Sequence, residues 1–182
     1  MKKLLTAMLI FASSFALAQC EWLTNETDEF TGVKKQMHKA EKLLGQTSED
    51  MKKYKRLFPE YDYFKIDVSC AKFDNRYAIY FTIKIQTERA YEYYGALREG
   101  SKIILKHDSL SLTTLKFAKT ETGDSDYTDK TTRYITYCAP DEDAIKALSE
   151  KPVVKVRIYW SKGYEDYVVT APDAILKQLK CF

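Results

Sequence analysis

A chain of 182 residues with 29 Lys and Arg against 26 Asp and Glu, 45% hydrophobic and 14% aromatic, carries enough apolar side chain for a self-supporting core and fits one domain. Six Gly and four Pro exclude fibrous and low-complexity readings, and the apolar content excludes disorder. Without Lys2 and Lys3, 27 basic against 26 acidic side chains leave +1, so no nucleic-acid partner is expected.

The first element is an export signal. Met1-Lys2-Lys3 is basic, Leu4 to Leu17 is uncharged and apolar, and Ala16-Leu17-Ala18 is an A-x-A cleavage site. Residues 1–18 read as a signal peptide and 19–182 as a single α+β domain that is periplasmic or secreted. The apolar run falls short of the ~20 residues that span a bilayer and no comparable run follows, so no transmembrane segment is expected. Leu17-Ala18-Gln19-Cys20 also resembles a lipobox, which would place a lipid anchor on Cys20, although Gln19 is bulkier than the small residue such boxes carry.

Residues 30–45 fit strand or helix: Phe30-Thr31-Gly32-Val33 suits a strand start and Gly45 a helix C-cap. From Ser48, Met51, Tyr54, Leu57 and Phe58 share one side of a helix that ends at Pro59. An antiparallel hairpin follows from Tyr61 to Gln86. Phe64, Ile66, Val68 and Cys70 alternate with polar residues on one arm, Ile79, Phe81, Ile83 and Ile85 on the other, around Asp74-Asn75-Arg76.

Tyr91, Tyr93 and Tyr94, with Arg98, join this hairpin to the next. Tyrosine offers an apolar face with a polar tip, so these residues are the candidate ligand-binding set, for an unknown protein, peptide or glycan; the competing reading packs them over a sheet edge. A second hairpin spans Ser101 to Ala118, with Ile103 and Leu105 facing Leu110 and Leu112 across a Lys106-His107-Asp108-Ser109 turn that leaves His107 solvated. Leu112 and Leu115 cannot share a face of a regular strand, so a bulge near Thr113-Thr114 is expected. Asp124, Asp126 and Asp129 read as a solvated acidic loop, lacking the glycine and distal glutamate of a calcium hand.

Residues 132–138 suit a strand of ambiguous facing. Asp141-Glu142-Asp143 opens a helix through Ala144, Ile145 and Leu148. Val154, Val156, Ile158 and Trp160 alternate in a strand that turns at Ser161-Lys162-Gly163 into a last strand around Tyr167–Val169. Thr170-Ala171-Pro172-Asp173 reads as a capping box for a helix through Leu179. The fold class is α+β: an antiparallel β-sheet built from hairpins, with short amphipathic helices packed on one face.

Four cysteines in an exported chain favour disulfides, and Cys70 with Cys138 and Cys20 with Cys181 is the preferred pairing. Spacings of 50, 68 and 43 contain no C-x-x-C, and His38 and His107 stand 69 positions apart, so no metal site is expected. No Gly-rich phosphate cradle occurs, and no cofactor is expected. Charge is uneven, +5 over residues 33–58 and -5 over 120–150.

The signal ending in Ala-Gln, Asp28-Glu29-Phe30-Thr31-Gly32, Gly100-Ser101-Lys102-Ile103-Ile104-Leu105 and Val154-Lys155-Val156-Arg157-Ile158 resemble segments of small exported proteins of Bacteroidota. The resemblance implies compartment and fold, and makes Asp108-Ser109-Leu110 an O-glycosylation acceptor; from the residues alone that tripeptide is a hairpin turn. The sequence therefore points to non-catalytic binding at the cell envelope. Alternatives are an interaction subunit of an envelope assembly and a thiol hydrolase using Cys70 or Cys138 with a histidine.

Overall fold

In a computed structural model, which describes residues 20–46 and 63–182, the chain forms two antiparallel sheets around a shared core. The export signal and the helix expected from Ser48 lie outside the described residues.

The first sheet is built on the long hairpin that the alternation predicts, described from residue 63 onward. Strands β4 (Phe64–Phe73) and β5 (Arg76–Ile85) pair in continuous register across a tight turn at Asp74, whose φ of +52° an aspartate tolerates. On β5's other side lies β9 (Thr131–Cys138), followed by the short β8 (Asp124–Asp126). The facing of β9, ambiguous in sequence, is fixed by this register: Tyr134 stands beside Ile83 and Cys138 beside Ile79, pointing inward. The open 30–45 segment is extended. It contributes β2 (Lys34–His38) and β3 (Glu41–Gln46), which lie end to end along β4, and β1 (Trp22–Thr27) pairs outside β2.

The β2 register with β4 ends at Ala71 and the β3 register begins at Val68, so the edge of β4 is interrupted between them. The buried Gln178 side chain bonds there: Cys70 N–H donates to its Oε1 at 2.7 Å, and its Nε2 donates to the Val68 carbonyl at 3.3 Å. Gln178 belongs to helix α3 (Ala174–Leu179), which is thereby fixed against the sheet.

The second sheet runs β11 (Gly163–Val168), β10 (Val153–Trp160), β6 (Lys102–His107), β7 (Leu112–Lys116). Its inner face carries Ile103, Leu105, Leu115, Val156, Ile158, Trp160 and Tyr167. Against the first sheet, Tyr167 stacks on Phe64 with centroids 4.1 Å apart, and Trp160 meets the edge of Tyr134 at 5.2 Å. Burial of such rings contributes about 1.5–3 kcal/mol each. Past β7, Phe117 bridges to Cys138, joining the sheets at one corner. Helix α2 (Glu142–Glu150) begins where the acidic run predicts, with the Asp141 carboxylate accepting the Ala144 N–H at 2.8 Å; it packs on α3 and β7.

The fold is thus mainly β, and α+β in the coarse sense. Several expectations change. β7 has no bulge: Lys102 to Lys106 pair without a shift against Lys116 to Leu112, so Leu115 points inward and Leu112 outward. The Thr170 box does not form, since the Thr170 hydroxyl donates to the Leu43 carbonyl and Asp173 makes no side-chain cap. Cys20 and Cys181 are bridged, with Cα atoms 5.9 Å apart. Cys70 and Cys138 are not, and both are buried free thiols. Both flank Ile79 across β5, and two strand spacings, about 9.6 Å, exceed the reach of a disulfide.

Candidate functional site

The outer face of the second sheet is a candidate ligand surface, assembled by the register from alternate positions of four strands. At one end Tyr164 stands beside Tyr159, and Lys102 beside Lys116. The middle row runs Asp166, Arg157, Ile104, Thr114, and the last runs Val168, Lys155, Lys106, Leu112. Five cations meet one carboxylate, and no described element packs over them.

Arg157 is held in place. Its guanidinium donates to both Asp166 oxygens, at 2.5 and 2.7 Å, and lies 4.3 Å from the Tyr164 ring centroid. The Arg157 hydrogen bond holds the Asp166 carboxyl below its ordinary value, and the same contact raises the guanidinium. Tyr159 lies 5.6 Å from Tyr164. Among the described residues, no carboxylate lies within ion-pair distance of Lys102, Lys106, Lys116 or Lys155. Lys102 and Lys116 are directly opposed across β6 and β7, and Lys106 and Lys155 across β6 and β10. Facing like charges destabilise a sheet. The first sheet's outer face differs, with Lys65 paired to Asp67 at 3.0 Å.

The middle and last rows carry a shallow groove of about 210 Å³, lined by Ile104, Leu112 and Val156, with Lys106, Lys155 and the Arg157–Asp166 pair around it. Beyond it the β6–β7 turn projects Leu110, 76% exposed, and Leu112 is 61% exposed. Leu110 has φ +65°, a left-handed conformation uncommon for a bulky residue.

The sequence-predicted set divides. Tyr91 and Tyr93, at 50% and 61% exposure, stand on the single-turn helix α1 (Ala90–Tyr93). Tyr94 is a packing residue, 5.1 Å from Trp160 and 6.3 Å from Phe64, and burial raises its phenol. Tyr93 and Tyr94 share a small cleft with Lys162 and Tyr164, so Tyr93 borders the basic face. Arg98 is exposed but does not line that cleft. The segment is clamped locally: the Gly95 carbonyl accepts from Tyr134 Oη at 3.0 Å, and the Ala96 N–H donates to Ser161 Oγ at 2.9 Å. A Cβ on Gly95, at φ +76°, would lie 2.1 Å from that Oγ.

Nothing supports thiol chemistry at the free cysteines. Burial pushes the Cys138 thiol up to about 12 and raises Cys70 further still. His107 is buried rather than solvated. Its Nδ1 lies 3.1 Å from the Pro152 carbonyl, to which it donates, leaving Nε2 to accept from Thr113 Oγ1 at 2.8 Å. His38 stacks on Trp22 at 4.1 Å beside Phe182, next to the Cys20–Cys181 bridge. A bridged Cys20 has no thiol left to carry a lipid, which removes the anchor reading.

Two sequence motifs are turns. In Asp28-Glu29-Phe30-Thr31-Gly32 the Asp28 carboxylate accepts the N–H groups of Phe30 and Thr31 and pairs with Lys35 at 3.1 Å; these bonds, the Thr31 N–H foremost, hold it near 2. Asp126 likewise accepts the N–H groups of Thr128 and Asp129. No helix among the described residues is long and apolar enough to cross a membrane. No family model, curated protein or solved structure matches the chain.

Proposed function

We propose that this is a non-catalytic binding protein of the periplasm or cell envelope, and that the outer face of the second sheet is its binding surface. The observation that carries the reading is the pair of cross-strand lysine couples, Lys102 with Lys116 and Lys106 with Lys155, none of the four with a carboxylate within ion-pair distance among the described residues; the Asp166 carboxylate feels Lys155 only at longer range while it is bonded to Arg157. Such couples cost stability and return nothing to packing, which an anionic ligand reverses by bridging them. The bridged Cys20 and Cys181 suit an oxidising compartment, in line with the export signal.

A soluble anionic polymer tests the surface. On immobilised dextran sulfate, the wild type is expected to be retained at low salt, and Lys102→Gln with Lys106→Gln, Lys116→Gln and Lys155→Gln to flow through. A control with the same net charge, replacing Lys84, Lys130, Lys146 and Lys180 by Gln, should elute with the wild type. Equal loss in both variants would show a net-charge effect and overturn the assignment.

A further inference from the structure

The chemistry of the face narrows what it takes; this step rests on the binding reading above. Recognition of a glycan strand needs amide, carboxylate and hydroxyl groups directed at sugar hydroxyls. The twelve outward positions contain no Asn or Gln, their one carboxylate is engaged by Arg157, and their neutral polar groups are the hydroxyls of Thr114, Tyr159 and Tyr164. What they offer is cation beside hydrocarbon. Lys106 and Lys155 flank a groove lined by Ile104 and Leu112, and the adjoining turn pushes Leu110 into solvent in a left-handed conformation. Val168, exposed at the far edge of the same row, adds hydrocarbon on the other side of Lys106 and Lys155.

An anionic phospholipid surface presents the complementary chemistry: phosphate outside, hydrocarbon just beneath. We infer that the outer face of the second sheet docks on an anionic phospholipid surface, with Leu110 and Leu112 entering the boundary between headgroups and acyl chains while Lys106 and Lys155 meet lipid phosphates. The Tyr159 and Tyr164 rings suit the headgroup level, where an apolar body with a polar tip is favoured. Long lysine stems let the ammonium groups reach phosphate while the stems cover the groove. The association is peripheral and reversible, because two leucines and four lysines fall far short of a membrane span.

Co-sedimentation of the unmodified mature chain with vesicles tests this. Phosphatidylcholine vesicles are compared with phosphatidylcholine containing phosphatidylglycerol, and dextran sulfate binding is measured in parallel. The wild type is expected to pellet with the phosphatidylglycerol vesicles, less so as salt rises. Each lysine near an anionic surface contributes about fivefold, so Lys106→Gln with Lys155→Gln should weaken partitioning about thirtyfold. Leu110→Ser with Leu112→Ser, lysines intact, should weaken vesicle binding while leaving dextran sulfate binding unchanged. Equal binding to both vesicle types, or vesicle binding indifferent to the leucines, overturns the inference. Dextran sulfate binding without vesicle binding overturns the lipid assignment alone. Failure to bind either overturns the binding face as well.

Discussion

Leu110 occupies a position that hairpin chemistry assigns to another residue, and replacing it separates stability from binding. The β6–β7 connection is a three-residue loop, Asp108 to Leu110, closed by the His107 N–H donating to the Ser111 carbonyl at 2.9 Å. Loops of this length usually place glycine in the left-handed last position. A residue with a Cβ there costs about 1–2 kcal/mol, while glycine gives back about 0.5–1 kcal/mol through its freedom in the unfolded chain. Leu110→Ala removes hydrocarbon that is 76% exposed, so little burial is lost. Leu110→Gly should then be more stable than Leu110→Ala by about 0.5–1 kcal/mol, a comparison in which the lost side chain largely cancels. With a urea m-value of about 2 kcal/mol/M, that is a midpoint rise of about 0.25–0.5 M. Both variants should bind phosphatidylglycerol vesicles more weakly than the wild type. A glycine variant less stable than the alanine one would refute the left-handed turn, and unchanged vesicle binding would refute a role for Leu110 on the face.

Removing the terminal bridge with Cys20→Ser and Cys181→Ser should lower stability by about 3–5 kcal/mol in denaturant titration, since it closes a loop with a sequence separation of 161; a loss below 1 kcal/mol would mean that the Trp22, His38 and Phe182 rings hold the ends unaided. Maleimide should leave Cys70 and Cys138 unmodified in the native protein and label both after unfolding; rapid native labelling would contradict their burial. In denaturant titration Tyr94→Ala should cost about 2 kcal/mol through its lost contacts with Phe64 and Trp160, and Tyr93→Ala almost nothing. Burial lowers the His38 imidazole below 6.5, so the unfolded chain takes up its proton first as pH falls. Its contribution is complete above pH 6.5 and is lost from there down to the folded value, and His38→Phe should flatten that part of the stability–pH curve.

The regular hairpins were legible because alternation is a backbone property: β4 with β5 and β10 with β11 follow their apolar periods residue by residue. The terminal bridge was anticipated because Cys20 and Cys181 can tie down two chain ends that otherwise fray, but the second pairing failed, because Cys70 and Cys138 lie on the correct face at the wrong distance, and only strand order reveals Ile79 between them. β2 and β3 were obscure for a related reason. Between their short halves β4 is bonded instead by Gln178, more than a hundred residues away, a contact that no local pattern encodes.

The candidate face was hidden by a different mechanism. Lysines at alternate strand positions are what any solvated strand presents, and only the register sets Lys106 against Lys155 and Lys102 against Lys116. The phase of β7 was misread because apolar residues were assigned inward, which seats Leu112 in the core and demands a bulge. The protein instead buries Thr113 and His107, whose hydroxyl and imidazole satisfy each other, and this polar pair inverts the apparent phase of the strand. Leu110 and Leu112 are thereby turned out to solvent beside uncompensated cations. A sequence that breaks turn grammar, strand patterning and cross-strand charge pairing within one edge of one sheet departs there from what folding alone requires. Those three departures share an explanation if the surface that completes them is anionic outside and hydrocarbon beneath.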